Sequence, residues 1–579
     1  MFDVLVKLQW FFKENRKRYT IAVALLIVAN AFEVIPPWLI GKSIDAIHRE
    51  TLTTTLLFQF LGGLAIVMTL AYIVNFVWQF QLFGGSNVIE RRLRKNLMQQ
   101  FLRMSPPFYE RNRTGDLMAR ATNDLRAVSE TAGFGIMTLL DSTLYLGTIL
   151  LMMAFSVSWK LTLAAIIPLP ILAITMQMLG KKIHEKYTIA QDAFGHMNDS
   201  VLEAVEGVRV VRAYVHERET ENKFGEMTED VYKKNMDVER IDAWFTPITR
   251  VLTGLSYMIG LGYGAYLVSI GDITLGKLIS FNVYLGMIVW PMFAIGELIN
   301  VMQRGNASLD RVQETLNETE DVKDPSAPVV VETPNSIDFQ DVTFQYPQSQ
   351  SINLAHLDIS LKKGQTLGIV GKTGSGKTTI VKQLLKEYPT GEGALQISEE
   401  EIGAQSKEQV RKWIGYVPQD HVLFSRTIRE NILFGKQDAT EEELKEAIRV
   451  SCFDNDLQML PMGLDTMVGE KGVSLSGGQK QRISIARALI RDPEILILDD
   501  SLSAVDAKTE SRIVKNIQEE RQDKTTIIVT HRLSAIMHAD WIIVLENGKI
   551  IEEGTHSDLL KQNGWYKEQH NRQQIEGAK

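Results

Sequence analysis

Residues 371–378 read Gly-Lys-Thr-Gly-Ser-Gly-Lys-Thr, a glycine-rich run that closes on a lysine and a hydroxyl. These residue types at this spacing suit phosphate chemistry. The glycines let successive backbone N–H groups close round phosphate oxygens, and a helix starting here adds its positive end. Lys377 then reaches the outer phosphates and the Thr378 hydroxyl reaches Mg2+. Further along, the apolar run Glu494-Ile-Leu-Ile-Leu498 ends in Asp499, a second carboxylate of the kind that holds the metal, usually through water. The pair predicts nucleotide binding.

Such a loop needs a strand before it and a helix after it. Short apolar runs at Leu367–Val370, Ile495–Leu498 and Thr526–Val529 alternate with helical patterns from Ser336 to about Gln569, which predicts an α/β domain on a parallel sheet. The uninterrupted apolar character of 495–498 fits a strand buried on both faces. Upstream, 306–320 is a charged helical pattern and Asp324-Pro-Ser-Ala-Pro328 is proline-punctuated, so 306–335 reads as a linker and 336–579 as the nucleotide-binding domain.

The first 305 residues differ in kind. Mean hydropathy for the whole chain is −0.04, an ordinary value for a water-soluble protein. Read in windows, however, six stretches approach the roughly 20 apolar residues that a helix needs to cross a bilayer. They are 21–40, 51–89, 142–159, 161–180, 251–271 and 278–296, and 51–89 carries no charge at all. A turn joins the third and fourth. The first stretch is too long and too proline-marked (Pro36, Pro37) for a cleaved signal peptide. Basic segments at Lys7–Arg18, Arg91–Arg126 and Lys181–Arg240 lie on one side, which predicts both termini in the cytoplasm. The long polar segments between spans have helical spacing and predict helices that continue beyond the bilayer; a 20–25-residue extension reaches on the order of 30–38 Å.

Charge and cysteine content exclude other classes. Lys and Arg number 62 against 70 Asp and Glu, a formal charge of −8, so the chain is no electrostatic partner for nucleic acid. With one cysteine, Cys452, it forms no intrachain disulfide. His184, His196 and His216 sit in charged segments and suggest no metal site.

Leu475-Ser-Gly-Gly-Gln479, followed by Gln481-Arg-Ile-Ser-Ile-Ala-Arg-Ala488, resembles the signature motif and helix of ATP-binding cassette (ABC) transporters. The resemblance covers nearly the whole chain. It implies an α-helical six-span transmembrane domain of the type I/type IV ABC exporter kind (1–305), fused to an α/β P-loop nucleotide-binding domain. It also implies an ATP set of Tyr346, which stacks adenine, with Gly371, Lys372, Thr373, Gly374, Ser375, Gly376, Lys377, Thr378 and Thr379. Mg2+ falls to Thr378, Gln419 and Asp499, the switch histidine is His531, and Ser501–Asp506 is the dimer-contacting loop. Leu475, Ser476, Gly477, Gly478 and Gln479 serve ATP held by a facing cassette. Val468-Gly-Glu-Lys-Gly472 resembles an exporter cross-linking loop, and Ser105–Glu110 and Arg212–Glu217 resemble the two coupling segments. One such chain is half a transporter.

The family usually has glutamate after the Walker B aspartate, to polarise the attacking water; this sequence has Asp500. Losing one methylene retracts the carboxylate by roughly 1.5 Å at most, and misplacements near 1 Å cost about a hundredfold in rate. Slow hydrolysis at the chain's own Walker motifs, with its signature completing a competent site on a non-identical partner, is the implication. The chain thus resembles the degenerate-site subunit of heterodimeric bacterial multidrug exporters of the BmrC/BmrD type. Plasma-membrane export of small lipophilic drugs, an ABC-type xenobiotic transporter activity, is the expectation; a lipid or peptide exporter or a mainly regulatory subunit is the alternative. Ionisable residues in a span cost roughly 2.5–3.5 kcal/mol at mid-depth, so Glu33 and Asp141 are candidates to face a cavity that welcomes cations, while Arg250 and Glu297 fit helix ends or paired positions.

Overall fold

A computed structural model describes residues 2–469 and 475–577. The chain divides into two compact units, Met1–Leu102 with Gly115–Glu318, and Arg103–Thr114 with Thr319–Lys579.

The first unit is helical. Arg16–Glu33 and Ile35–His48 meet at Val34, where Pro36 enters the first turn of the second helix without losing a hydrogen bond that the turn would have made. Thr54–Arg103 is one helix of 50 residues, roughly 75 Å long. No residue in its most apolar window is buried, and Phe58, Tyr72, Phe76 and Phe80 are all exposed. Such a face is unstable in water and at home in hydrocarbon. Among the described residues, five helical stretches are long and apolar enough to cross a membrane: Arg16–His48, Thr54–Arg103, Thr114–Ile166, Glu217–Ser269 and Leu275–Asn317.

The remaining expected span, 161–180, is divided. Trp159–Ile166 and Pro168–Glu206 are separate helices, since Pro168 and Pro170 bring no N–H to the junction. The turn between the third and fourth stretches falls at Ser158, whose backbone is extended (φ −166°, ψ 126°). The last helix, Val289–Asn317, runs past residue 305 into the segment read as linker. It does so because Asp124 accepts hydrogen bonds from Ser308 Oγ (2.8 Å) and Arg311 Nε (2.9 Å), which keeps Leu309, Val312 and Thr315 buried. The proline-rich remainder is held too: Lys407 donates from its backbone to Asp324 (2.7 Å) and from Nζ to Glu320 (2.6 Å).

Helix Ile35–His48 packs on Leu275–Met287 through glycine. A Cβ on Gly276 would lie 1.9 Å from the Gly41 carbonyl oxygen, so the two backbones touch. Around this contact Asp45 accepts from Thr274 Oγ1 (2.6 Å) and Gly276 N (2.8 Å), Ser280 Oγ donates to Pro37 O (2.7 Å), and Tyr284 donates to Val34 O (2.6 Å). Small residues that admit close backbone approach are how helices associate where apolar burial gives no advantage over lipid.

The second unit carries two sheets. Strands β1 (Ser336–Phe344), β2 (Leu354–Lys362), β4 (Glu392–Ile397) and β5 (Glu400–Glu401) form an antiparallel sheet in the order β2-β1-β4-β5. With β3 (Thr366–Gly371), β6 (Ile414–Val417), β7 (Ile495–Asp499), β8 (Thr525–Val529), β9 (Trp541–Glu546) and β10 (Lys549–Gly554), the second sheet runs β10-β9-β3-β8-β7-β6. All its neighbours are parallel except β10 against β9. Alternate residues serve two cores: Ile369, Ile497, Ile527 and Ile543 join the side of β1 and β2, while Val370, Leu496, Leu498, Ile528 and Ile542 meet Ile485 and Ile513. The antiparallel sheet lies outside the parallel pattern that the sequence predicts.

Gly276→Ala should destabilise the helical unit by about 1–3 kcal/mol through overpacking, and Gly296→Ala, where a Cβ meets nothing within 4 Å, should not. Thermal unfolding of the detergent-solubilised variants, followed by loss of soluble protein, measures the difference.

Candidate nucleotide site

The phosphate loop is held open by backbone conformation. Strand β3 ends at Gly371, and Gly376 (φ 104°) begins helix Lys377–Leu384. That φ is reserved in practice for glycine, and a Cβ there would lie 2.7 Å from Asn353 O. The Lys377 ammonium is buried against the loop, donating to Gly371 O (3.0 Å) and Lys372 O (2.9 Å). Burial lowers its pKa, opposed by Asp500 and Asp499. Lys372 and Thr373 are exposed, and Lys372 pairs with Glu546 (2.6 Å). Ser375 is buried, and its carbonyl accepts from Gly548 N (3.0 Å).

Asp499, only 1% exposed, is the fixed point of the site. Its Oδ1 accepts from Thr378 Oγ1 (3.1 Å) and its Oδ2 from Tyr416 on β6 (3.4 Å). Burial raises its pKa, and the two hydroxyls and Lys377 act in the opposite direction. Asp500 follows in a left-handed conformation (φ 45°) while its N–H still donates to Val529 O (2.8 Å). Aspartate tolerates this region better than most side chains. His531 lies just beyond β8; burial first, then Lys377, lowers its pKa and favours the neutral ring. Gln419 is exposed in the loop after β6. Tyr346 is half-buried and donates to Thr379 Oγ1 (3.1 Å), tying it to the helix that carries Lys377.

Leu475 is buried beneath helix Gly477–Leu489, and Ser476 caps that helix, reciprocally bonded with Gln479. Gln479 Nε2 reaches Asp456 (3.2 Å), which also pairs with Arg482 (2.7 Å). Gly477 and Gly478 allow the helix to approach Ala504, whose N–H donates to Gln481 Oε1 (3.1 Å). Among the described residues no hydrogen bond joins Leu475–Gln479 to Gly371–Thr379. Val468 is buried on the flank of this subdomain, whereas residues 470–474, which include most of the expected cross-linking loop, lie outside the described residues.

Three contributors escaped the sequence reading. Arg532 donates to Val505 O (3.2 Å), Ser503 O (2.9 Å) and Glu510 (2.7 Å), bracing the Ser501–Asp506 loop. Gln481 braces the same loop from the other side, and Tyr416 steadies Asp499. Gln481 stands inside the signature helix quoted above and Arg532 directly follows His531, yet nothing in the sequence says which loop they touch.

Elsewhere, Asp141 is buried and accepts from Trp290 Nε1 (3.1 Å). Glu33 closes helix Arg16–Glu33 and is exposed, and Tyr145 is buried. Arg250 and Glu297 are exposed. The segment 105–111 forms helix Pro106–Arg111 within the second unit, where Arg111 makes a two-pronged pair with Asp321 (2.9 and 3.1 Å). In the other candidate coupling segment, Tyr214 and Val215 are 71% and 81% exposed.

Residues 19–292 match the family model for the ABC transporter transmembrane region, and residues 354–503 match the model described as ABC transporter. A relative from Bacillus subtilis (strain 168), described as a probable multidrug resistance ABC transporter ATP-binding/permease protein, YheI, is 60% identical over 99% of this chain and 98% of its own. The chain belongs to the ABC transporter family. A multidrug resistance-like ATP-binding protein of Escherichia coli (strain K12), MdlA, is 39% identical over 99% of this chain and 97% of its own. The structure of a bacterial Atm1-family ABC exporter with ATP bound superposes with a TM-score of 0.79 at 25% identity, covering 96% of this chain and 99% of that one. This ABC exporter half-transporter is therefore embedded in a membrane, binds ATP and couples its hydrolysis to export.

Arg532→Ala should lower ATP turnover on the order of tenfold by loosening the Ser501–Asp506 loop, with ATP affinity changed less than twofold. Steady-state ATPase rates beside a fluorescent-nucleotide titration separate the two effects.

Proposed function

We propose that this half-transporter exports lipophilic, cationic drugs across the plasma membrane as one subunit of a heterodimer, with slow hydrolysis at its own phosphate loop. The observation that carries the reading is Asp500. The residue after Asp499 begins in a left-handed conformation tied to β8 by its own N–H, so the backbone has little freedom to advance a side chain that is one methylene short of glutamate. A base that stops short of its water is a poor base. The exposed Tyr214 and Val215 support a second chain as the receiving surface for that segment. The multidrug descriptions of the relatives from B. subtilis and E. coli support drugs as cargo.

In this reading residues 1–305 form the membrane domain, 306–335 the connection and 336–579 the cassette, with both termini cytoplasmic. Tyr346 stacks on adenine, and the loop amides with Lys377 hold the phosphates. Thr378, Asp499 and Gln419 would hold Mg2+, which neutralises phosphate charge when bound. Their chemistry fits a hard cation: a hydroxyl, a carboxylate and an amide oxygen, with the carboxylate already fixed by Thr378. His531, neutral near pH 7, offers a hydrogen bond to the terminal phosphate. Leu475–Gln479 face the partner's nucleotide, where the partner's glutamate supplies the competent base. ATP closes the two cassettes, the coupling segments transmit the closure, and hydrolysis at the competent site resets the cycle. In the membrane, Asp141 and Glu33 give the cavity its affinity for cations.

Asp500→Glu should change turnover of the assembled transporter less than twofold, whereas glutamine at the partner's glutamate should lower it at least about tenfold. Equal effects, or a homodimer with ordinary turnover, contradict the heterodimer. Asp141→Asn should weaken stimulation of the ATPase by lipophilic cations several-fold while stimulation by neutral lipophiles persists; unchanged cation potency in both Asp141→Asn and Glu33→Gln removes the acidic pair from cargo binding.

A further inference from the structure

Tyr388 is 1% exposed, just beyond helix Lys377–Leu384, and has contacts on two sides. On one side its hydroxyl donates to Glu110 Oε1 of helix Pro106–Arg111. On the other its ring meets Tyr346 edge to face, centroids 4.8 Å apart and planes at 79°. Phe344 packs against both rings, at 6.1 Å from Tyr388 and 5.0 Å from Tyr346. Lys382 Nζ stands 5.5 Å from each ring centroid, so one cation spans both faces. Tyr346 in turn donates to Thr379, beside Lys377 and Thr378. A continuous set of contacts therefore runs from Glu110 to the phosphate-loop helix.

The physical character of the set matters. Burial, then Glu110, raises the Tyr388 pKa, so the proton stays on the phenol and the contact remains an O–H donated to a carboxylate. Aromatic rings packed edge to face have few alternative arrangements, and a displacement of one is passed to the next. Glu110 is anchored in a segment that Arg111 and Ser105 fasten to Asp321, and the segment's two ends run into helices Thr54–Arg103 and Thr114–Ala119.

We propose that Tyr388 is a positioning residue that ties Glu110 of the Pro106–Arg111 segment to the nucleotide-facing Tyr346, so that ATP on the cassette alters the order of that segment. The inference rests on the reading of Tyr346 as the residue against adenine. It adds to that reading a route, a direction and a hydroxyl whose removal leaves the packing intact.

The test uses the full chain in lipid nanodiscs, with amide hydrogen exchange of residues 103–114 measured with and without saturating ATP, and ATP affinity measured in parallel. In the unmodified chain ATP should change exchange in this segment several-fold. Tyr388→Phe keeps the ring and should reduce that ATP-dependent difference at least threefold, with the ATP Kd within twofold of its starting value. Glu110→Ala should do the same, Glu110→Gln should retain more than half of the difference because an acceptor oxygen remains, and the Tyr388→Phe/Glu110→Ala double variant should lose no more than either alone. Tyr346→Ala tests the underlying reading separately and should raise the Kd at least tenfold. An undiminished ATP-dependent difference in Tyr388→Phe overturns the relay whatever Tyr346 does. Full additivity of the two single variants also overturns it, as does a segment that ignores ATP in the unmodified chain. A normal Kd in Tyr346→Ala removes the nucleotide end and overturns it from the other side.

Discussion

A carboxylate with almost no access to water is the constraint on which the cassette is arranged. Asp499 ends a strand whose five residues are all buried, and an ionised group in such a place is tolerable only with its oxygens hydrogen-bonded. Thr378 occupies one oxygen and Tyr416 the other. Those two bonds fix the phosphate-loop helix and β6 against β7. They also fix where the chain leaves the sheet: Asp500 turns left-handed while its N–H still pairs with Val529, and the Ser501–Asp506 loop starts from that turn. Arg532 and Gln481 then hold the loop from either side. The backbone of Asp500 is tied by its own N–H, which leaves its short side chain little room to advance.

The two units meet different solvents and are packed differently. In the cassette, strands buried on both faces interleave two apolar cores, the arrangement that water rewards. In the helical unit much of the apolar surface points outward, as on Thr54–Arg103, and specificity comes from backbone contact at Gly41 and Gly276 with a cluster of hydroxyls and one carboxylate around it. The mean hydropathy near zero is the average of these two solutions.

What was legible in sequence follows the same physics. Leu367–Val370, Ile495–Leu498 and Thr526–Val529 announced themselves because both of their faces are covered. Strand β1 was missed because its pattern is interrupted: Asp341 has a positive φ (51°), and the pairing with β2 and β4 shifts register around it. The loop at 371–378 is local chemistry and was fully readable. Tyr388, Tyr416 and Arg532 were not, since their roles depend on partners distant in sequence. The helical pattern after residue 305 is legible in the sequence, but its attachment to the helix before it is not, because Ser308 and Arg311 become anchors only through Asp124, far away in the chain. Pro168 and Pro170 were visible, but a hydropathy window does not register a missing N–H.

The Gly41–Gly276 contact has a consequence for synthesis. The hydrogen bonds beside it join residues 229, 243 and 250 positions apart. At 5–20 residues per second the first helices wait on the order of 10–50 s for the segment that completes them. During that interval the carbonyls of Val34 and Pro37 and the carboxylate of Asp45 lack their native partners. The contact between the two glycines therefore forms only after Thr274–Tyr284 has emerged from the ribosome.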